Sequence, residues 1–222
     1  MKINKILVVI LAIFIPYILL MAGVRLVMTP AFPAWEYKRI NFPADPYGFT
    51  TQERTKWSAY AVNYLVNDEE ISYLGNLQDE LGQKMFTPDE LSHMVDVKNV
   101  VTISSTVWYV LGGVSIAILL WFVIMRQWES IRKALNAGGW ITIGFLGALL
   151  VILAISFDKL FEYFHRLFFQ DGTWTFSQSS TLIRLFPFEF WRDAFVLVIG
   201  LALLVGVLLV VRTHRRNKSV SV

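Results

Sequence analysis

Residues 100–125 read VVTISSTVWYVLGGVSIAILLWFVIM, 26 residues without one charged side chain. A helix rises about 1.5 Å per residue, so this stretch crosses the roughly 30 Å hydrocarbon core of a bilayer. It is too long for a buried strand. Three further uncharged runs share its character: 6–24, 137–157 and 194–211. Together they give the fold class, an all-α membrane protein with four transmembrane helices. The composition agrees. Of 222 residues, 55% are hydrophobic and 17% charged, against about 25% charged in a soluble domain. A soluble enzyme, a disordered chain and a fibrous repeat are excluded on that ground. The chain has no Cys, which removes disulfide scaffolds, cysteine nucleophiles, thiolate metal sites and iron–sulfur clusters.

The first run follows Lys2 and Lys5, as in a secretory signal. It is longer than a signal core, and no small-x-small cleavage site follows cleanly, so it reads as a retained span. Orientation comes from the basic residues. Lys2 and Lys5, then Arg126, Arg132 and Lys133, then Arg212, Arg215, Arg216 and Lys218 occupy three short segments with one acid, Glu129. Segment 29–99 has six basic and eleven acidic residues, and 158–193 has four and five. Both termini are therefore expected in the cytoplasm, with the two acidic segments on the other side of the membrane. The net charge of +3 reflects topology and implies no nucleic-acid partner.

The expected organisation is helix 6–28, an extracytoplasmic cap 29–98, helix 99–125, a cytoplasmic loop 126–138 and helix 139–163. An aromatic-rich outer loop 164–192, helix 193–211 and a cytoplasmic tail 212–222 follow. Within the cap, residues 29–50 hold four prolines and Gly48 and read as extended or turning. TQERTKWSAYAVNYLV, Thr51–Val66, has helical spacing with an acid near its start. Segment 67–82 has no clear pattern. Thr87-Pro88-Asp89-Glu90 has the form of a capping box with proline in the first turn. The helix it opens runs through His93 toward the second span. The outer loop is dense in Phe. An aromatic belt at the headgroups accounts for single residues; the density suggests a walled apolar chamber.

Of three histidines, His214 belongs to a solvated basic tail. His165 comes about one helical turn beyond a third span that starts near Trp140. His93 precedes Val100 by seven residues, so a continuous helix places it within about two turns of the same boundary. Both have acids at helical contact spacing: Asp89, Glu90 and Asp96 near His93, Glu162 near His165. A carboxylate on one imidazole nitrogen fixes the tautomer and raises the basicity of the other, as general acid–base chemistry requires. Two interfacial histidines with satisfied hydrogen bonds are the plain alternative. Glu90-Leu-Ser-His93 and Glu162-Tyr-Phe-His165 also form half of a di-iron bundle, but the first and fourth spans have no acid to complete it. A zinc site of two histidines and one carboxylate stays open.

No nucleophile elbow, metalloprotease, phosphate-loop or dinucleotide motif is present. Gly112, Gly113, Gly138 and Gly139 read as packing or turn glycines, and Ser104 and Ser105 as bonded back to their helix. Arg25 reads as snorkelling to headgroups. Lys98 and Arg184 suit a phosphate, carboxylate or carbonyl oxygen, and Tyr163 is a hydrogen-bond donor.

FTPDELSHMVDVK before the second span, FHRLFFQDGTWTF after the third, and LIRLFPFEFWRDA leading into the fourth resemble the integral membrane family of lipoprotein intramolecular transacylases. The likeness covers nearly the whole chain. It implies four spans under an extracytoplasmic cap. It implies movement of the sn-2 acyl chain of a diacylglyceryl-cysteine lipoprotein to the α-amino group of that cysteine, giving a lyso-form lipoprotein. It also implies a catalytic pair, which falls on His93 and His165. On this reading Asp96 and Glu162 support the pair, and Arg184, Tyr163, Trp174 and Phe164 contact substrate. No metal and no cofactor are called for, and the partners are the lipoprotein substrate and membrane lipid. The competing readings are a metal-dependent membrane hydrolase of lipid or peptide and a non-catalytic lipid- or protein-binding membrane subunit. A transporter is disfavoured, because the spans lack midplane acids and paired broken helices. Oligomeric state has no sequence signal here.

Overall fold

Backbone N–H and C=O groups inside lipid have no water to bond, so a long apolar run must satisfy them within its own helix. The computed structural model describes residues 2–218, with side chains as far as His214. Residues 219–222 of the expected tail, and the side chains of Arg215, Arg216 and Lys218, lie outside the described residues. The helices in order are α1 (Lys2–Val27), α2 (Ala31–Glu36), α3 (Thr51–Val66), α4 (Ser72–Gly75), α5 (Pro88–Ile124), α6 (Trp128–Ile155), α7 (Phe157–Phe168), α8 (Thr181–Leu185) and α9 (Phe188–Lys218). Among the described residues there is no β-strand, only an isolated bridge between Gln78 and Lys84. Four helices, α1, α5, α6 and α9, are long and apolar enough to cross a membrane. The protein is all-α and membrane-integral, as the sequence indicates.

The chain forms two compact units. The first comprises Met1–Val24, Ser105–Ile155 and Val196–Val222. Its core gathers Leu11, Ile15, Ile118, Phe122 and Ala134. Outward side chains such as Ile13, Ile116, Phe145 and Leu208 are apolar as well, as a lipid-facing surface requires. Small residues bring helices close. A Cβ on Gly139 would stand 2.8 Å from the Gly206 carbonyl oxygen and 2.8 Å from Val210. The hydroxyls of Thr142 and Thr213 bond back to their own helices, at Gly138 and Leu209.

The expected loop 126–138 is shorter in the structure. Arg126 takes a positive φ of 54°, and the Gln127 N–H reaches back to the Phe122 carbonyl at 2.7 Å, a left-handed helix stop. Helix α6 then begins at Trp128. Glu129 pairs with Arg132 and Lys133 at helical spacing, so these charges extend the helix instead of breaking it. Likewise α9 continues as helix to Lys218, through residues expected as tail.

The second unit comprises Arg25–Ser104 and Ser156–Phe195. Its core is Trp57, Ala61, Tyr64, Leu74, Met85, Phe86, Met94, Leu182 and Leu185. Helix α3 starts with a full capping box between Thr50 and Glu53 and buries Arg54, Trp57, Ser58, Ala61 and Tyr64, a 3–4 spacing on one face. At the start of α5, the Thr87 N–H donates to Glu90 Oε2 at 2.8 Å, and the Glu90 N–H donates to Thr87 Oγ1 at 3.3 Å. This is the box expected there.

Three expected boundaries in this unit are corrected. Segment 29–50 is not wholly extended, because α2 forms over Ala31–Glu36. Pro33 falls in its first turn, where no N–H is needed. The unassigned stretch after α3 contains α4, with Leu74 fully buried, and the bridge at Gln78. The third span, expected to 163, stops at Ile155. Ser156 turns out of helical geometry at φ −160° and ψ 88°, and α7 restarts as a separate amphipathic helix. The outer loop 164–192 is consequently largely helical, holding the end of α7, all of α8 and the start of α9.

Candidate active site

Helix α7, FDKLFEYFHRLF, repeats apolar residues at Phe157, Phe161, Phe164 and Phe168. That face carries His165 inward, where it is 9% exposed. His93, also 9% exposed, comes from the second turn of α5. The two imidazoles stack at 6.3 Å between centroids and 22° between planes. Both residues lie in the second unit. Aromatic rings enclose the pair. Phe169 lies 5.0 Å from His93 and 5.6 Å from His165. Phe176 flanks His93 at 5.5 Å. Phe161, Trp174 and Phe164 flank His165 at 4.0, 4.8 and 5.6 Å.

His165 Nδ1 is 2.8 Å from the Phe161 carbonyl oxygen. A carbonyl can only accept, so Nδ1 carries the hydrogen. Burial pushes the His165 pKa below 6.5, outweighing the opposite pull of the Phe161 bond. At neutral pH the ring is therefore uncharged, and its Nε2 is a bare lone pair. His93 Nδ1 is buried without a hydrogen-bond partner. The pair thus presents one ring nitrogen bonded to the backbone and one buried ring nitrogen without a partner, within an aromatic enclosure.

The carboxylates behave differently from their spacing. Glu162, expected to orient His165, forms an ion pair with Arg166 at 2.9 Å and is half exposed. The backbone carbonyl of Phe161 takes the orienting role instead. Asp96 is half-buried and close enough to His93 to interact electrostatically. Glu90, one turn before His93, is 1% exposed. Its Oε1 accepts from the Leu182 N–H at 2.8 Å while Oε2 accepts from Thr87. Thr181 adds a hydroxyl bond to the Met85 carbonyl. Glu90 therefore ties the start of α5 to the start of α8, a role that sequence spacing does not reveal.

Arg184, expected to contact substrate, is already engaged. Its Nε and Nη2 donate to Asp45 Oδ2 at 3.0 and 2.8 Å, and its guanidinium lies 3.4 Å from the Phe49 ring centroid. Burial pushes the Asp45 carboxyl up, but hydrogen bonds from Arg184 and from the Phe49 and Tyr47 backbone outweigh it and hold the group low. Arg184 fixes the 45–49 segment. Tyr163 is 68% exposed and points to the surface. Lys98 donates to the Glu69 carbonyl at 2.6 Å and rests on Tyr64. Of the expected contacts, Phe164 and Trp174 are the two that meet the histidine pair. Phe169 and Phe176, which sequence reasoning left undistinguished among the loop aromatics, complete the enclosure.

Glu90 has both oxygens committed to backbone N–H groups, and Glu162 faces Arg166. Among the described residues no three His, Asp or Glu side chains cluster as a metal set.

Comparison with known proteins supplies a family. The family model described as lipoprotein intramolecular transacylase Lit matches residues 9–191. An uncharacterized protein of Aquifex aeolicus (strain VF5) is 32% identical over 207 residues, which cover 92% of each chain. The in meso structure of the membrane-integral lipoprotein intramolecular transacylase Lit from Bacillus cereus is similar in fold. Its TM-score is 0.76 at 22% identity, with 99% of each chain covered. A form of that protein with a histidine substitution gives 0.74 at 21% identity, covering 99% of this chain and 97% of that one. The fold, the membrane spans and the matched sequence agree, and the chain belongs to the lipoprotein intramolecular transacylase family.

Proposed function

We propose that this protein moves the sn-2 acyl chain of a diacylglyceryl-cysteine lipoprotein onto the α-amino group of the same cysteine, releasing a lyso-form lipoprotein. The observation that carries the reading is the lone pair on His165 Nε2, left bare by the Nδ1–H bond to Phe161, beside a second buried imidazole. In the reaction the amine nitrogen attacks the ester carbonyl carbon, and His165 Nε2 takes the amine proton. A C–N bond forms. The tetrahedral centre then collapses, the ester C–O bond breaks, and the proton ends on the sn-2 oxygen of the glycerol. His165 returns that proton to the leaving oxygen, while the ring N–H of His93, beside it, hydrogen-bonds the same oxygen and keeps its own proton. Asp96 acts electrostatically on His93, favouring positive charge on that ring and so strengthening its N–H as a donor.

No covalent acyl-enzyme is required, which fits a chain without Cys or a serine nucleophile motif. The attack is intramolecular in the substrate, so holding amine and ester together supplies much of the rate. Phe161, Phe164, Phe169, Trp174 and Phe176 supply such a walled space and keep out water that would hydrolyse the ester. The distribution of basic residues supports cytoplasmic termini and a site on the outer face of the bacterial cytoplasmic membrane, level with the glycerol esters. The deciding experiment is mass spectrometry of N-terminal lipopeptides from cells with and without the gene. An N-acylated, O-monoacyl product that requires the gene is expected. Its absence from cells expressing the protein, with substrate lipoprotein present, would sink the reading.

A further inference from the structure

We propose that the indole N–H of Trp174 is the oxyanion donor of the site, hydrogen-bonding the ester carbonyl oxygen as it becomes negative. The inference rests on the transacylase reading and adds a catalytic residue to it. Acyl transfer through a tetrahedral centre places charge on the former carbonyl oxygen, and preorganised donors there commonly give the largest share of catalysis. Few donors remain near the histidines. His165 Nδ1–H is spent on Phe161, and the Phe169 N–H is spent on the His165 carbonyl at 2.8 Å. Trp174 Nε1 is different. It is buried and has no hydrogen-bond partner.

An indole nitrogen can only donate, and a buried donor left unpaired lowers stability. Such a group persists where something else uses it. His93 Nδ1 is a second orphaned buried atom in the same ring cluster. Trp174 lies 4.8 Å from His165 between ring centroids, tilted by 34°, so its indole borders the imidazole that takes the amine proton. The loop fixes it there. The Thr173 N–H and hydroxyl both donate to the Gln170 carbonyl, at 3.2 and 2.9 Å. Gly172 provides the turn with a φ of +87°, which other residues rarely adopt.

In the balanced step, the amine attacks and the carbonyl π pair moves onto oxygen. The Trp174 N–H bonds that oxyanion without transferring its proton. Collapse returns the pair, expels the glyceryl oxygen and frees the N–H. A neutral donor suits this place, because a dry aromatic setting strengthens the bond while charging a cation there would be costly.

The test uses purified full-length protein and a synthetic diacylglyceryl-cysteine lipopeptide, with product followed by mass spectrometry. Two replacements remove the N–H: Trp174→Phe, and Trp174 exchanged for β-(3-benzothienyl)alanine, which keeps the bicyclic shape. Both are expected to lower kcat on the order of a hundredfold, with KM within about threefold and thermal midpoint near that of the parent. An unchanged kcat in the benzothienyl variant, or a loss confined to KM, overturns the proposal, even where the Phe variant is impaired or poorly folded. Failure of the parent protein itself to convert the lipopeptide overturns the transacylase reading instead.

Discussion

Among the described residues, the polar side chains buried in the first unit are Ser115, Thr142 and Thr213, while those of the second are Glu36, Arg54, Ser58, Glu90, His93 and His165. Hydroxyls can close their bonds on their own helix, so Thr142 and Thr213 sit among lipid-facing helices at little cost. Ionisable groups cannot. Each buried one in the second unit needs a charged, aromatic or backbone partner. Glu36 meets Arg39, Arg54 lies over Tyr37 and Phe42, and Glu90 takes Leu182. In the histidine pair one nitrogen is bonded to its own helix and another to nothing. The first unit buries hydroxyls, and the second buries the ionisable groups.

The sharpest way to break that contrast is to remove the chemistry and keep the fold. Exchanging His93 or His165 for Ala is predicted to lower lipopeptide conversion by about 10³-fold or more, since acid–base catalysis contributes about 10²–10⁴-fold. Thermal unfolding in detergent should barely move. A variant that loses activity only in proportion to folded protein would make the pair structural. A pH profile is a milder probe. The His165 pKa lies below 6.5 because of burial, so activity should hold at neutral pH. On acidification it should fall only below the ordinary imidazole range, toward about tenfold per pH unit. Stability carries the same sign. The unfolded chain binds the proton first, so the contribution of His165 is complete above pH 6.5 and is lost as pH falls through its lower native value. The substrate's α-amine titrates at about 7.7–8.0 and its own fall in activity is divided out first; a remaining midpoint above 6.5 would contradict the buried, neutral base.

Two substitutions compare the units by stability alone. Glu90→Ala strands the N–H groups of Thr87 and Leu182, at a predicted loss on the order of 3 kcal/mol; Glu90→Gln, which keeps an acceptor, should recover part of it. Chemical unfolding of both variants measures the difference, and equal values would deny Glu90 its linking role. Gly139→Ala pushes a Cβ against the Gly206 carbonyl and is predicted to lose about 1–3 kcal/mol, with conversion per folded molecule unchanged. If thermal melting shows no loss, the close approach of those helices is not limiting.

The spans were legible because length alone forces them, and the starts of α3 and α5 because Thr and acidic residues recur there at helical spacing. Counting residues along the helices put both histidines near one depth only by taking the third span as continuous past Ser156, where the helix breaks. The break at Ser156 was not legible. Neither Pro nor Gly marks it, and the apolar run continues to Phe157. Glu162 was misassigned because i−3 spacing places it near His165 but equally near Arg166 at i+4, the better charge partner. Arg184 and Asp45 are 139 positions apart in the chain. Leu182 and Glu90 are 92 apart. No local pattern connects such pairs, so the second unit's internal bracing emerges only from the fold.

The group that aligns His165 is the main-chain oxygen of Phe161, which every amino acid possesses. Side-chain exchange at 161 can alter the ring packed on the imidazole but cannot delete that acceptor. The Nδ1–H tautomer of His165 is in this sense inherited from helical geometry, and mutation of α7 will tune the ring's surroundings far more readily than its orientation.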